Sequence, residues 1–375
     1  MEEPLGWNER FGGYVIPVPS NMHVHFRFDP AMMELVIQET AKHYRYVTAM
    51  PNFGKDRIRM PEQAIAYRER VLTIARKYDP NFNLNVPLYL EPNTSPDTVR
   101  EGFELGAWIA AKLYPRGGTN GSEEGVDFQK LCELEPVFKT MEELGMLLLI
   151  HAEPTEHKDG SGIVNWKREQ ASLGLIGSIL RKHSNLHVVF EHISSAAGAR
   201  AIRQWQRKGC RVEATIAPQY LLWNATKLFA GGMNPLYYSI PILKEEEDRL
   251  ALITFLLEGG GFLGTDSAPH DLKAKQQGYR CPGGIFNETV ALFVYFKIFK
   301  ESGRADWFEK FVDFACRKGP AFYRLDPPQG QMLIVEKSWQ VPTLFSCNSE
   351  GNVRRIMVEP MFAGETMEFS VSRLI

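Results

Sequence analysis

Short apolar runs alternate with longer amphipathic stretches along most of this chain, and that alternation restricts the possible fold more than any other feature. The runs are rich in Val, Ile, Leu and Tyr and are mostly bounded by Gly, Pro or Asn, as strands are. They cover residues 14–25, 46–50, 84–90, 107–114, 146–151, 187–192, 212–217 and 261–265. The intervening stretches predict helices over 30–43, 61–77, 95–105, 128–144, 166–183, 195–208 and 244–257. In the first of these, Met33, Val36, Ile37 and Thr40 share a face. Pro61 stands early in the second, where a helix tolerates it, and Gly145, Gly209 and Gly259 each follow a predicted helix as C-terminal caps do. Eight strand–helix repeats predict an α/β chain of the (β/α)8 TIM-barrel type rather than an open sheet. No Gly-x-Gly-x-x-Gly follows the first run, which removes the usual reason to expect a dinucleotide fold. Beyond the repeats, 286–300 and 306–317 read as helices, and the tail past Gly319 reads as short extended pieces. The whole chain, 1–375, is read as a single domain, with a C-terminal segment of about 320–375 covering the barrel.

Barrel chemistry sits at the C-terminal ends of the strands, so residues of special chemistry should cluster where each apolar run stops. The first run ends in Asn21-Met22-His23-Val24-His25-Phe26-Arg27. Residues two apart on a strand face the same side, so Asn21, His23, His25 and Arg27 share a face for as long as the strand persists. The second run ends in Met50-Pro51-Asn52, the fourth carries Lys112, the fifth and sixth end in His151 and His192, and the eighth ends in Asp266, followed by His270. Five of the nine histidines fall at these ends; His43, His157, His183 and His187 lie in helical or loop stretches and are expected at the surface.

Four histidines, an aspartate and a lysine suit a pair of divalent ions such as zinc. Lys112, flanked by Ala, Leu and Tyr, should be partly desolvated, which lowers its pKa and frees the neutral amine. A neutral amine can add carbon dioxide to form a carbamate, an anionic ligand able to bridge two metals; a lysine that snorkels or pairs with a carboxylate fits the same spacing. Two adjacent ions would hold a hydroxide able to attack a polarised carbonyl, with Asp266 carrying the proton to a leaving nitrogen. The reaction class is hydrolysis of an amide-like C–N bond. Arg27, Asn52 and His270 surround this centre. A guanidinium matches a carboxylate, which points to a carboxylated small-molecule substrate. A rim salt bridge for Arg27 and a turn role for Asn52 are the alternatives.

Composition excludes other classes. A formal net charge of -2, with no basic run interleaved with aromatics, gives no basis for nucleic acid or an anionic membrane. No apolar stretch reaches membrane-spanning length. Five scattered cysteines without CxxC spacing argue for a reducing compartment, and the acidic start, Met1-Glu2-Glu3-Pro4, shows no signal peptide, so a cytoplasmic location is expected.

Taken together, His23-Val24-His25-Phe26-Arg27, Met50-Pro51-Asn52, Ala110-Ala111-Lys112-Leu113-Tyr114-Pro115, Ile150-His151-Ala152-Glu153, Phe190-Glu191-His192-Ile193, Thr215-Ile216-Ala217-Pro218-Gln219, Pro241-Ile242-Leu243-Lys244 and Gly264-Thr265-Asp266-Ser267-Ala268-Pro269-His270 resemble class II dihydroorotases of the amidohydrolase superfamily, almost from end to end. The resemblance implies two Zn2+ per subunit. His23, His25 and Asp266 would hold the more buried ion, His151 and His192 the other, and carboxylated Lys112 would bridge them. It implies reversible conversion of dihydroorotate and N-carbamoyl-aspartate in pyrimidine synthesis, with Asp266 as acid/base and Arg27, Asn52 and His270 clamping the substrate carboxylate. It also implies a homodimer, loop contacts to substrate from Thr119 and Asn120, backbone contact at Tyr237, and backbone amides from Gly283 and Gly284. The chain departs from the family pattern at Phe28, where Asp is usual, at Asn120, where a second Thr is usual, and at Tyr237, where Leu is frequent. Those departures leave a related substrate, such as another carboxylated cyclic amide, imide or hydantoin, as the alternative. A catalytically dead scaffold should have lost ligands, and every one is present.

Overall fold

Leu147–Ile150 is buried at every residue, as is Ala110–Leu113 beside it. Strands covered on both faces read as continuous apolar runs and belong in a parallel sheet. The computed structural model, which describes residues 2–277, 279–348 and 355–374, places them so. Leu88–Tyr89, Ala110–Leu113, Leu147–Ile150, His187–Phe190, Val212–Ile216 and Phe262–Leu263 pair in parallel, in chain order. Ser20–Val24, Tyr46–Ala49 and Asn83–Asn85 form a second parallel group. The third barrel strand joins the two groups. Its first part, Asn83–Asn85, pairs backwards and its second, Leu88–Tyr89, pairs forwards; between them Pro87 has no N–H to give a ladder. A parallel bridge between Val24 and Ser267 closes the circle, with His25 N–H donating to Ser267 O and Asp266 N–H to His23 O, both at 2.9 Å. The result is an eight-stranded barrel with helices outside it, Pro30–His43, Pro61–Ala75, Pro96–Glu104, Glu135–Leu144, Arg168–Lys182, Ala196–Arg207 and Glu246–Leu257 among them.

Several expectations need correction. Residues 14–25 are not one strand. Pro17 and Pro19 interrupt the ladder, and only Ser20–Val24 enters the barrel. Gly13–Pro17 instead pairs antiparallel with Gln331–Val335, which also pairs with Ser370–Leu374, so the two ends of the chain share one sheet. The helix expected from 286 starts at Ala291. Before it, Asn287 and Glu288 turn into the barrel: Asn287 Nδ2 donates to Thr265 O (2.8 Å), and Glu288 Oε1 accepts from Asn21 Nδ2 (2.8 Å) and Thr265 Oγ1 (2.5 Å). His43 and His183 are buried rather than exposed, and His187 opens the strand His187–Phe190 instead of lying in a helix or loop. His43 lies edge-on to Phe293, and His183 sits between Glu142 (3.1 Å) and Glu135 (3.2 Å). The tail contributes short strands as expected; its residues 349–354 and 375 lie outside the described residues. Among the described residues no helix is long and apolar enough to cross a membrane.

Candidate active site

The first barrel strand stops at Val24, one residue past His23. His25 is carried on by its hydrogen bond to the eighth-strand end, so His23 and His25 still face the same centre. Arg27 does not inherit that face from a strand; its backbone is left-handed (φ 64°), which turns it onto the loop after the eighth strand. Shared parity therefore holds through His25 and fails at Arg27. His23 Nε2 and His25 Nε2 stand 3.4 and 3.3 Å from the same oxygen, Asp266 Oδ1. His151 Nδ1 faces His192 Nε2 at 3.0 Å. His23, His192 and Asp266 each offer a ligand atom, and these atoms lie within 4.8 Å of one another. Lys112 is fully buried, its Nζ has no hydrogen-bond partner, and it lies 5.0 Å from the centre of the Tyr114 ring.

Burial sets the charge state of these groups. It lowers the Lys112 pKa to about 8, against the pull of Glu191 and Asp266. It lowers His25 to about 4 and drives His192 well below its ordinary value. Burial would raise Asp266, but His192, His23 and His25 outweigh it and hold the carboxyl well below the usual carboxylate range. His25, His151 and His192 are thereby held as neutral imidazoles and Asp266 as a carboxylate, the forms in which these side chains ligate metal, whereas at His23 burial is outweighed by Glu191 and Asp266 and the pKa is raised.

Two carboxylates behind the wall orient the rings, and neither was singled out from the sequence. Glu191 Oε2 is 2.7 Å from His23 Nδ1 and accepts from Thr215 Oγ1 (2.6 Å), which leaves His23 Nε2 to face the centre. Glu153 Oε2 is 3.5 Å from His151 Nε2, on the ring side away from His192. Glu153 is held in turn by buried Lys244 (3.5 Å), whose Nζ donates to Ser194 Oγ (2.6 Å). Ser194 donates through N and Oγ to Glu169, which also takes the Ser195 hydroxyl. A buried carboxylate directly beside a strand-end histidine was the available signal for Glu153 and Glu191.

Facing the histidines is a set of loop residues that hold one another. Arg27 donates through Nε to Pro269 O (2.7 Å), and its Nη2 is 2.9 Å from His270 Nε2. Asn52 Nδ2 donates to Asn120 O (2.9 Å), and Asn120 Nδ2 donates to Gly283 O (2.7 Å), 3.5 Å from His270 Nε2. Thr119 is tied to Ser122, whose hydroxyl accepts from Thr119 N–H and donates to Thr119 O. Arg27, Asn52, Thr119, Asn120, Gly283 and Gly284 all line the cavity with the histidines and Asp266; Tyr114 and Ile240 line it too and were not expected. Tyr237 is not brought to it. Its ring packs on Trp223 (4.8 Å) and under Lys227 (4.7 Å), in a neighbouring cavity that His270 lines and that meets this one at Gly284. The Gly284 N–H is also not offered to a ligand, because it donates to Tyr238 O (2.9 Å). Phe28 points away, onto Phe53 and Arg70, while Asp29 caps the helix Pro30–His43 by accepting from Ala31 and Met32 N–H.

No family model matches the chain. Among curated proteins, it is 35% identical over 356 residues to the dihydroorotase of Aromatoleum aromaticum, covering 94% of this chain and 97% of that one. The chain belongs to the dihydroorotase family. The solved structure of a Saccharomyces cerevisiae dihydroorotase in complex with 5-fluoroorotic acid superposes with a TM-score of 0.85 at 25% identity, over 96% of this chain and 98% of that chain. An L-hydantoinase from Arthrobacter aurescens superposes at 0.77 and 15% identity, over 97% and 84%, a likeness that extends to the fold alone.

The residues gathered in this dihydroorotase-family barrel fit a metal ion. His23 Nε2 and Lys112 Nζ are buried without a hydrogen-bond partner, a costly arrangement for polar atoms. The 3.0 Å between His151 Nδ1 and His192 Nε2 is compatible with two nitrogens each about 2.0–2.1 Å from one ion. Three non-glycine residues of this dihydroorotase site, Arg27, His192 and Asp266, have left-handed backbones (φ 64°, 38° and 47°). Such conformations cost about 1–3 kcal/mol each and persist where surrounding structure over-determines them, as it does at active sites.

Proposed function

We infer that this amidohydrolase is a dihydroorotase, which reversibly hydrolyses the ring amide of (S)-dihydroorotate to N-carbamoyl-L-aspartate. The observation that carries the reading is the convergence of His23, His192 and Asp266 within 4.8 Å beside a buried, unpartnered Lys112. This donor set would hold two Zn2+ per subunit, His23, His25 and Asp266 taking one and His151 and His192 the other, with N6-carboxylated Lys112 as a shared ligand. The buried amine of Lys112, lowered to about 8, supports that modification, since only a neutral amine adds carbon dioxide. Bound divalent ions would supply Lewis acidity toward the ring carbonyl and an activated water at neutral pH.

The chain's own residues do the rest. Arg27, with Asn52 and His270 beside it, pairs with the substrate carboxylate and sets the ring against Asp266. Asp266 enters the reaction ionised, takes the proton of the attacking water, and returns it to the ring nitrogen as the C–N bond breaks. The carbonyl carbon leaves as a carboxylate and the nitrogen as the ureido group, and ring closure runs the same proton backwards. Thr119 and Asn120 cover the bound ring, and Gly283, whose carbonyl is held by Asn120, offers its backbone amide to the same side. The reading carries with it a homodimer, a single domain in which residues after about 320 cover the barrel, and a cytoplasmic location, the last supported by five free cysteines. The test is ring opening and ring closure assayed on protein of measured metal content. Zinc-loaded protein that turns over neither compound, or that prefers a hydantoin by orders of magnitude in kcat/KM, sinks it.

A further inference from the structure

The short helix Leu272–Lys275 ends in a buried lysine that the chemistry above does not use. Lys275 Nζ donates to three backbone carbonyls: Tyr238 O at 2.9 Å, Pro282 O at 3.1 Å and Gly284 O at 2.9 Å. An ammonium has three N–H groups and no acceptor, so the three carbonyls take its full donor capacity. Among the described residues no carboxylate lies within ion-pair distance of it, so the charge is held by peptide dipoles and by the face of the Tyr238 ring, 5.8 Å away. Burying a charge on such terms is expensive. Burial lowers the group to about 8, helped by Arg27 and opposed by Cys281.

The three carbonyls come from two separate stretches of chain that wall the candidate site. Tyr238 lies two residues before Ile240, and Pro282 and Gly284 flank Gly283; Ile240, Gly283 and Gly284 all line the cavity. Gly284 N–H donates to the same Tyr238 carbonyl that receives Lys275. At Gly284 (φ 147°) a Cβ would stand 2.3 Å from Ala268 O, so the backbone is pressed against the eighth-strand loop with no room to shift. Gly283 O, held between the two lysine-bound carbonyls, accepts from Asn120 and lies 3.1 Å from His270 Nε2.

We propose that Lys275 is a positioning residue for substrate: its ammonium staples residues 282–284 to Tyr238 and thereby places the Gly283 carbonyl, His270 and Asn120 against the ring and carboxylate of the bound molecule. The identity of that molecule rests on the dihydroorotase reading; the stapling does not. Lys275→Met removes all three bonds while keeping the stem. In the full chain with unchanged metal content, it raises KM for dihydroorotate about ten-fold or more and leaves kcat within about three-fold. In substrate-free protein it speeds hydrogen–deuterium exchange in the peptide spanning 279–285 relative to the barrel strands. A merely structural lysine would lower Tm and the active fraction without moving KM. Should Lys275→Met not fold, Lys275→Arg takes its place, because a planar fork cannot address three carbonyls from one nitrogen; its KM and exchange fall between those of wild type and Lys275→Met. KM within two-fold of wild type, or unchanged exchange over 279–285, overturns the proposal. Wild-type protein inactive on dihydroorotate would remove the substrate reading instead, and the exchange measurement would then decide the stapling by itself.

Discussion

The histidine wall and the loop side opposite it border the same cavity but are held in different ways. His23, His151 and His192 stand at or just past strand ends and are buried, and the rings of His23 and His151 are oriented by carboxylates behind them. Their positions follow from strand register, which cannot slip by one residue without turning every side chain to the other face. Arg27, Asn52, Asn120 and His270 lie on loops and are placed by bonds to one another and to loop carbonyls. Of the chain's departures from the family pattern, Asn120 lines the cavity on the loop side, while Phe28 and Tyr237 pack away from it. A wall held by register keeps the chemistry, and loops held by side-chain bonds leave recognition open to change.

The sharpest way to break this division is at Asp266, the one wall residue to which we assign both a ligand and a proton role. Asp266→Asn should lower kcat by about a thousand-fold or more, with loss of bound metal, as read from turnover and metal analysis on the same sample. A variant with near-normal kcat would place the proton transfer elsewhere. Glu191→Gln touches only the support of His23 and should cost about 10–100-fold in metal affinity or activity, measured by chelator competition. On the loop side, Arg27→Met should raise KM for the carboxylated substrate about 10–100-fold with metal content intact. If a neutral cyclic amide lost as much, Arg27 would belong to the wall's machinery and the division would fail. Asn120→Ala removes one neutral bond to Gly283 and should lower kcat/KM only about 3–10-fold.

The smallest effect concerns the floor beneath the wall. Glu288 is fully buried, and burial raises its pKa from 4.5 to about 8. Between those values the folded chain keeps a proton that the unfolded chain has lost, so this group's contribution to stability is complete below about pH 4.5 and falls as pH rises toward 8. Glu288→Gln removes that slope. Its Tm should exceed the wild-type Tm at pH 8 and approach it near pH 5; parallel Tm–pH curves for the two proteins would show that Glu288 ionises freely in the fold.

Much of the barrel was legible in the sequence because its signals are local. Leu147-Leu148-Leu149-Ile150 can only be a strand buried on both faces, and the helix Pro30–His43 shows its proline start and its apolar face. The boundaries that failed did so where local signals conflicted with tertiary pairing. Gly13–Pro17 is as β-prone as a barrel strand, yet it joins the C-terminal strands. Asn287 and Glu288 sit in a helical pattern but are drawn inward by Thr265 and Asn21. His183 reads as a surface histidine because its partners, Glu135 and Glu142, are remote in sequence.

By itself, then, the sequence determined which residues stand at the C-terminal ends of the strands: His23, His25, Lys112, His151, His192 and Asp266. Strand parity and the βα repeat suffice for that, since both are read within a few residues. Only the tertiary structure decided which nitrogen of each ring faces the centre, that Arg27 reaches His270 through a left-handed turn rather than along a strand, and that Tyr237 and the Gly284 amide are committed elsewhere. Each of those depends on a hydrogen-bond or packing partner far away in the chain, and no local pattern specifies which distant partner a side chain or peptide group will meet.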